Sequence, residues 1–211
     1  MTNFIPIFPL GLVLYPGETL HLHIFEPRYI QLIQYCLTNK KPFGIPTVIN
    51  NELQEMGTLA VITEISKTYE NGEMDIKVTG TEVFRVLELI KELPEKLYSG
   101  AIVSYPENKM TGDKNMIQKL LLSIRQLHTL LKVEKIFSKT DNDICSYDIA
   151  HHAGMSISEE YELLQLLHEL QRAEYLKQHL KKVLQVLKEM ESLKSRIQLN
   201  GHFKELPGIK F

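Results

Sequence analysis

A change of hydrophobic period near residue 113 divides this chain into two unlike halves. Before it, apolar residues come in short runs broken by Pro and Gly or alternate with polar ones, the two-residue rhythm of strands. "FIPIFPL" (4–10) and "LVLYPG" (12–17) are runs of the first kind. "TLHLHIF" (19–25) alternates, with Leu20, Leu22 and Ile24 on one face and His21, His23 and Phe25 on the other, which is a half-buried strand. "TLAVITEISKTYENGEMDIKVTG" (58–80) offers two strand-like runs around Asn71-Gly72, a dipeptide that tolerates the consecutive positive φ angles of a two-residue type I′ hairpin. "TEVFRVLELI" (81–90) and "YSGAIVSY" (98–105) supply two more strands. So many short strands between turn residues point to a small barrel or folded-over sheet rather than a parallel α/β fold. One helix interrupts them over 27–40. Pro27 suits its first position and holds Glu26 extended, Tyr29 or Ile30, Ile33, Cys36 and Leu37 recur at helical spacing, and Lys40, Lys41 and Pro42 end it.

After residue 113 the period is helical. Asp113 can cap a helix whose apolar face is Ile117, Leu120, Leu121, Ile124, Leu127 and Leu131. A loop around "SKTDNDICSYD" and a short pattern in "YDIAHHAG" follow, and Ser156 with Glu159 has the spacing of a capping box. No Gly or Pro then occurs until Gly201, so a long helix over 157–198 is expected, either continuous or bent near His168 to Arg172. Leu176, Leu180, Val183, Leu187 and Met190 follow coiled-coil spacing for only about two heptads, which favours packing on neighbouring helices over a dimer seam. The expected organisation is a β-rich unit over 1–108 and a helical unit over 109–211, with the apolar tail "HFKELPGIKF" docked on the body.

Composition narrows the function. A net charge of −2, with 8 basic against 12 acidic residues in 1–105, gives no surface that would hold a polyanion by counterion release. Nor is there a basic strand interleaved with aromatics, so nucleic acid is an unfavoured partner. Cys36 and Cys145 sit in no CxxC spacing and fit small core side chains in a reducing compartment. No apolar run reaches the length of a membrane span, and "MTNFIPIFPLG" lacks the regions of a signal peptide, so a cytoplasmic, membrane-free protein is expected.

Catalytic motifs fail on inspection. No glycine is followed by lysine, which removes the Walker A loop. Gly154-Met155-Ser156-Ile157-Ser158 lacks the second glycine of a nucleophile elbow. His168-Glu169 starts a zinc-peptidase pattern, but Arg172 stands where the second histidine belongs and cannot ligate. His21 with His23, and His151 with His152, could each supply two ligands, yet no further ligand stands at a recognised spacing. No catalytic residue, metal or cofactor is therefore assigned. Glu26 and Arg28, flanking Pro27, form either an exposed corner that meets a partner or a locally paired carboxylate and arginine.

"FPLGLVLYPGETLHLHIFEPRYIQLI" (8–33) resembles the start of the Lon amino-terminal domain, the substrate-binding part of Lon-type ATP-dependent proteases. Phe43-Gly44-Ile45, "MGTLAVI" (56–62), the hairpin with Gly72 and "KVTGTEVFRV" (77–86) keep that family's order, as do "AGMSISEEYELLQLL" (153–167) and the leucine-rich helix after it. The resemblance implies an α+β fold, a PUA-like β-barrel followed by a helical bundle. It implies a non-catalytic protein-binding module, an adaptor or regulator of proteolysis, whose partners are unfolded or specific polypeptides and a separate protease or chaperone. A monomer or weak homodimer is expected, and the ending at Phe211 with an apolar tail favours a stand-alone member. The binding surface is sought at His21, His23, Phe25, Glu26 and Arg28. The alternative is an RNA- or small-ligand-binding PUA-like protein, which the acidic first half disfavours.

Overall fold

The computed structural model describes residues 2–202 apart from Ser138, so the tail 203–211 and its expected docking lie outside the described residues. The alternating segments form β1 (Thr2–Pro6), β2 (Thr19–Ile24), β3 (Phe43–Ile49), β4 (Glu52–Thr68), β5 (Met74–Ile90) and β6 (Gly100–Ser104), with helix α1 (Pro27–Asn39) between β2 and β3. Every pair is antiparallel, in the order β1-β6-β5-β4-β3, with β2 added beside β5. The ends of this path meet, for Phe8 N–H donates to the Gly44 carbonyl at 2.8 Å and Ile7 bridges Gly44. The sheet thus curls around Ile5, Ile7, Phe84 and Val103, while α1 closes its side over Phe43, Ile45, Ile76 and Val78 with Leu32 and Ile33.

Three sheet details differ from the sequence reading. "LVLYPG" is buried but is not a strand; Val13, Leu14 and Tyr15 pass under the sheet, where the Thr58 hydroxyl donates to the Leu14 carbonyl. The segments 74–80 and 81–90 form one 17-residue strand, β5, instead of two. Gly80 lies within it because the chain at Tyr15–Glu18 touches it there: Gly17 N–H donates to the Gly80 carbonyl at 2.8 Å, and Gly80 N–H donates to the Glu18 carbonyl at 2.9 Å. At Asn71-Gly72 only Gly72 has positive φ (86°). Tyr69 N–H donates to the Glu73 carbonyl and Gly72 N–H to the Tyr69 carbonyl, which is a three-residue loop with glycine at the left-handed position. The two-residue hairpin with consecutive positive φ is instead at Asn50 (53°) and Asn51 (64°), between the paired Ile49 and Glu52.

The helical half contains α2 (Lys114–Leu131), α3 (Ser146–Ala150), α4 (Ile157–Gln165) and α5 (Glu169–His202). Asp113 caps α2 by accepting from Asn115 N–H at 2.9 Å, and the Ser156–Glu159 capping box opens α4. Of the expected α2 face, five residues are buried; Leu131, at the last turn, is 49% exposed. The long helix is interrupted at Leu166–His168 by the segment that leads from β6 into α2. Lys109 N–H donates to the Leu167 carbonyl at 2.7 Å, and its carbonyl accepts from Glu169 N–H at 2.9 Å. These bonds satisfy the backbone groups that a break exposes. Ile124, Leu163, Leu164, Leu176 and Leu180 form one apolar core with Val13, Tyr15, Met56 and Val83 of the barrel.

An ionic clamp secures that junction. The His151 ring lies between Glu160 (Nδ1 to Oε1, 2.7 Å) and Glu18 (Nε2 to Oε2, 3.2 Å) and against the Tyr15 ring, whose hydroxyl donates to the Glu160 carbonyl. Burial disfavours the imidazolium, but the hydrogen bonds to the two carboxylates outweigh it and push the His151 pKa up to about 9. A raised pKa stabilises the fold fully below the ordinary histidine value of about 6.5, and the contribution is lost as pH rises through about 9. Because a third of the side chain is exposed, about 1–2 kcal/mol is expected after solvent screening. Urea unfolding at pH 6 and pH 9.5 should show this loss in the native chain and little of it in His151→Gln.

Candidate polypeptide-binding surface

The five residues singled out in the sequence lie at one corner. There β2, the first part of β5 and the last part of β4 form a three-stranded wing with one face covered by α1. Register sorts its side chains: Leu20, Val78 and Ile62 form an inner row, while His21, Lys77 and Glu64, then His23, Asp75 and Lys67, form outer rows. The outer charges answer one another. His23 Nδ1 is 2.7 Å from Asp75 Oδ1, Tyr69 hydroxyl donates to Asp75 Oδ2, and Lys77 Nζ is 2.7 Å from Glu64. The bonds from His23 and Tyr69 hold the Asp75 carboxyl below its usual range. At the corner, Arg28 donates from Nε to Glu26 Oε2 at 2.9 Å and stacks over Tyr29 at 4.5 Å. The charged pair is therefore locally satisfied. Phe25, 58% exposed and stacked on His23, is the part of the corner that offers apolar surface.

A larger apolar surface lies between α2 and α5. Met116 and Leu120 from one helix and Leu180 and Leu184 from the other line a groove of about 500 Å³. Lys119, Lys177 and Lys181 stand on its rim, and Asp113 closes one end. Each helix contributes residues four apart, so the groove lies between two amphipathic faces. Sequence reasoning assigned Leu120 and Leu180 to core faces but had no signal that α2 and α5, some sixty positions apart, would leave a cleft between them.

The rejected zinc-peptidase pattern has a structural role. Arg172 is fully buried, and Glu169 is 2% exposed. Arg172 donates to Glu169 (2.8 Å), Ser146 Oγ (2.8 Å), Asn108 Oδ1 (2.9 Å) and the Leu166 carbonyl (2.7 Å), and it lies 4.1 Å from the Tyr147 ring. Glu169 in turn accepts from Ser146 N–H and Oγ. This hub holds α5 in the orientation that forms the groove. The other histidine pair is also divided: His151 is in the clamp, whereas His152 faces Phe137 and His128. Burial and the neighbouring Lys135, His128 and His151 press the His152 pKa down to about 4, which keeps it neutral. Burial likewise raises the Cys36 thiol to about 12 and Cys145 to about 11, so both are poor nucleophiles. Among the described residues no three His, Cys, Asp or Glu side chains are placed to hold a metal ion, and no helix is long and apolar enough to cross a membrane.

Residues 5–182 match the model of the ATP-dependent protease La (LON) substrate-binding domain. The chain belongs to the Lon substrate-binding domain family. The Lon fold is found again in a Lon N-terminal domain protein from Xanthomonas campestris, with a TM-score of 0.62 and 22% identity over 82% of this chain and 96% of that one. The N-terminal domain of Mycobacterium avium complex Lon protease gives a TM-score of 0.64 at 13% identity, covering 85% of this chain and 98% of the other. Protein cereblon from Gallus gallus is 27% identical over 128 residues, 58% of this chain and 28% of its own length. This chain thus spans little more than a quarter of that relative. The expected α+β Lon fold is what the molecule has. The Lon match ends at residue 182, near the outer end of the groove and before the exposed part of α5.

Proposed function

We propose that this Lon-family chain is a non-catalytic polypeptide-binding module, an adaptor or regulator of proteolysis, and that the α2–α5 groove takes its clients. The observation that carries this reading is an apolar cleft with three lysines on its rim, whose lining residues all fall within the region matched to a substrate-binding domain except Leu184, two positions beyond it. Its occupant is a polypeptide segment with apolar side chains flanked by carboxylates. The apolar groups leave water against Met116 and Leu184, while the carboxylates meet Lys119, Lys177 and Lys181. A separate protease or chaperone would receive the client. Phe25, with His21, His23, Glu26 and Arg28 around it, serves as a secondary contact, because it is a large apolar side chain left exposed on an otherwise self-paired corner.

The test is fluorescence anisotropy with labelled, permanently unfolded carboxymethylated lactalbumin, an acidic chain. Lys119→Glu/Lys177→Glu/Lys181→Glu should weaken binding about tenfold or more while leaving the circular dichroism and melting temperature near native values, since all three lysines are exposed. Equal affinity in the variant would remove the groove from the client site. A loss confined to Phe25→Ser would move that site to the corner.

A further inference from the structure

The wing has a second property that does not depend on the groove. β3 pairs with β4 only as far as Phe43 opposite Ala60, whereas β4 continues against β5 to Thr68. Among the described residues no strand lies on the other side of Val61–Thr68, so this stretch is a free edge with unpaired backbone donors and acceptors. Its pairing shifts between Ile62 and Glu64 and again between Ile65 and Lys67. Each bulge inserts one residue, so the side-chain repeat lengthens from two to three. Ile62, Ile65 and Thr68 then share the inner face with Val78, Ile76 and Met74, and Val61, Glu64 and Lys67 share the outer one. Val61 is 42% exposed and Ile65 46% exposed, although Ile65 is on the apolar face. Beside them, where α1 ends and β3 begins, a cleft of about 250 Å³ is lined by Leu37, Pro42, Val61 and Ile62 together with Lys40 and Lys41.

We propose that the Val61–Thr68 edge of β4 binds an extended polypeptide segment by strand addition. The segment runs antiparallel to β4, with apolar side chains facing Ile62 and Ile65 and an acidic side chain at its C-terminal end against Lys40 and Lys41. Direction follows from register. A strand antiparallel to β4 is collinear with β3, and its C-terminal end abuts the start of β3, where the two lysines lie. Neither lysine is in a salt bridge with a described residue. A carboxylate there gains two cations, whereas the opposite polarity would bring an N-terminal end against them. The backbone ladder supplies affinity for any extended chain, and the inner-face row selects alternating apolar residues.

The probe is a short, fluorescein-labelled, C-terminally amidated peptide in which valine alternates with threonine and aspartate is the last residue. Two further versions carry N-methyl groups on one or the other set of alternate amides. The expected result is that the full chain binds the parent peptide, and that one methylated set but not the other loses about tenfold or more in affinity. Ile65→Lys, at an exposed position that accepts lysine without unfolding the edge, should lose a similar factor. Lys40→Glu/Lys41→Glu should weaken the aspartate peptide several-fold and leave its asparagine counterpart unchanged. The three groove substitutions should leave all of this intact, so failure of the groove reading and failure of strand addition are separable. Absence of binding to the native chain, equal loss for both methylated sets, or undiminished binding by Ile65→Lys would overturn the proposal. So would protection of the 61–68 amides that rises with protein concentration in the absence of peptide, since the edge would then pair with a second copy.

Discussion

Replacing Arg172 by alanine should destabilise the fold by about 3–5 kcal/mol, the range for breaking a buried ion pair by removing one partner. The loss has two sources. Glu169 is left as a buried carboxylate that keeps only its bonds from Ser146, and the Leu166 carbonyl and Asn108 lose their donor in an enclosed place. Arg172→Lys should recover only a part, since an ammonium cannot reach Glu169, Ser146, Asn108 and Leu166 from one planar fork. Arg172→Met/Glu169→Leu removes both charges at once and should be less damaged than Arg172→Ala alone. Urea unfolding followed by circular dichroism gives these differences as midpoint shifts at constant slope. A midpoint for Arg172→Ala equal to the native one would mean that the hub contributes no stability.

Gly80→Ala should cost about 3 kcal/mol. A Cβ at this position would lie 2.4 Å from the Tyr15 carbonyl oxygen, with Thr58 Cγ2 at 3.1 Å and Leu14 Cγ at 3.2 Å. The two side chains can turn aside, but the carbonyl moves only with its chain. That chain carries Tyr15 and Glu18, two members of the clamp on His151. The alanine variant should therefore also show a flatter dependence of stability on pH between 6 and 9.5. Gly72→Ala is the control: its Cβ would meet nothing within 4 Å, so only the left-handed φ opposes it.

The features legible in the sequence are those fixed by near neighbours. Pro27 and the extended Glu26 set the start of α1, Asp113 capped α2 as its position suggested, and the Ser156–Glu159 box opened α4. The Lon resemblance, carried by 8–33 and 77–86, led to the right fold. The hairpins show where such reasoning fails. Asn71-Gly72 had the preferred dipeptide, but the bulged pairing of β4 and β5 required one more loop residue, and the tighter turn fell to Asn50-Asn51. The hub was illegible for a different reason. Glu169 and Arg172 at i and i+3 look like an exposed helix pair, and their burial depends on Asn108, from a distant loop, and Ser146, from the start of α3. At the candidate corner, the sequence groups His23, Glu26 and Arg28 by adjacency but could not show that Asp75 reaches His23 across the sheet. The free edge of β4 was missed because β3 stops short at Phe43, and the groove because it lies between two helices distant in sequence; the local sequence of α2, α5 or β4 records neither its neighbour nor how far that neighbour extends.

The outer part of α5 acts as a lever. Residues 188–198 are all exposed, and Met190, Leu193 and Ile197 ride along them without burial. At about 1.5 Å per residue this length places Gln198 some 17 Å beyond the last half-buried turn at Leu187. A partner bound along that stretch is held clear of both groove and barrel. A small rotation of α5 about the Arg172 hub is correspondingly enlarged at the tip, so the rigidity of one buried guanidinium sets the positional error of everything beyond it.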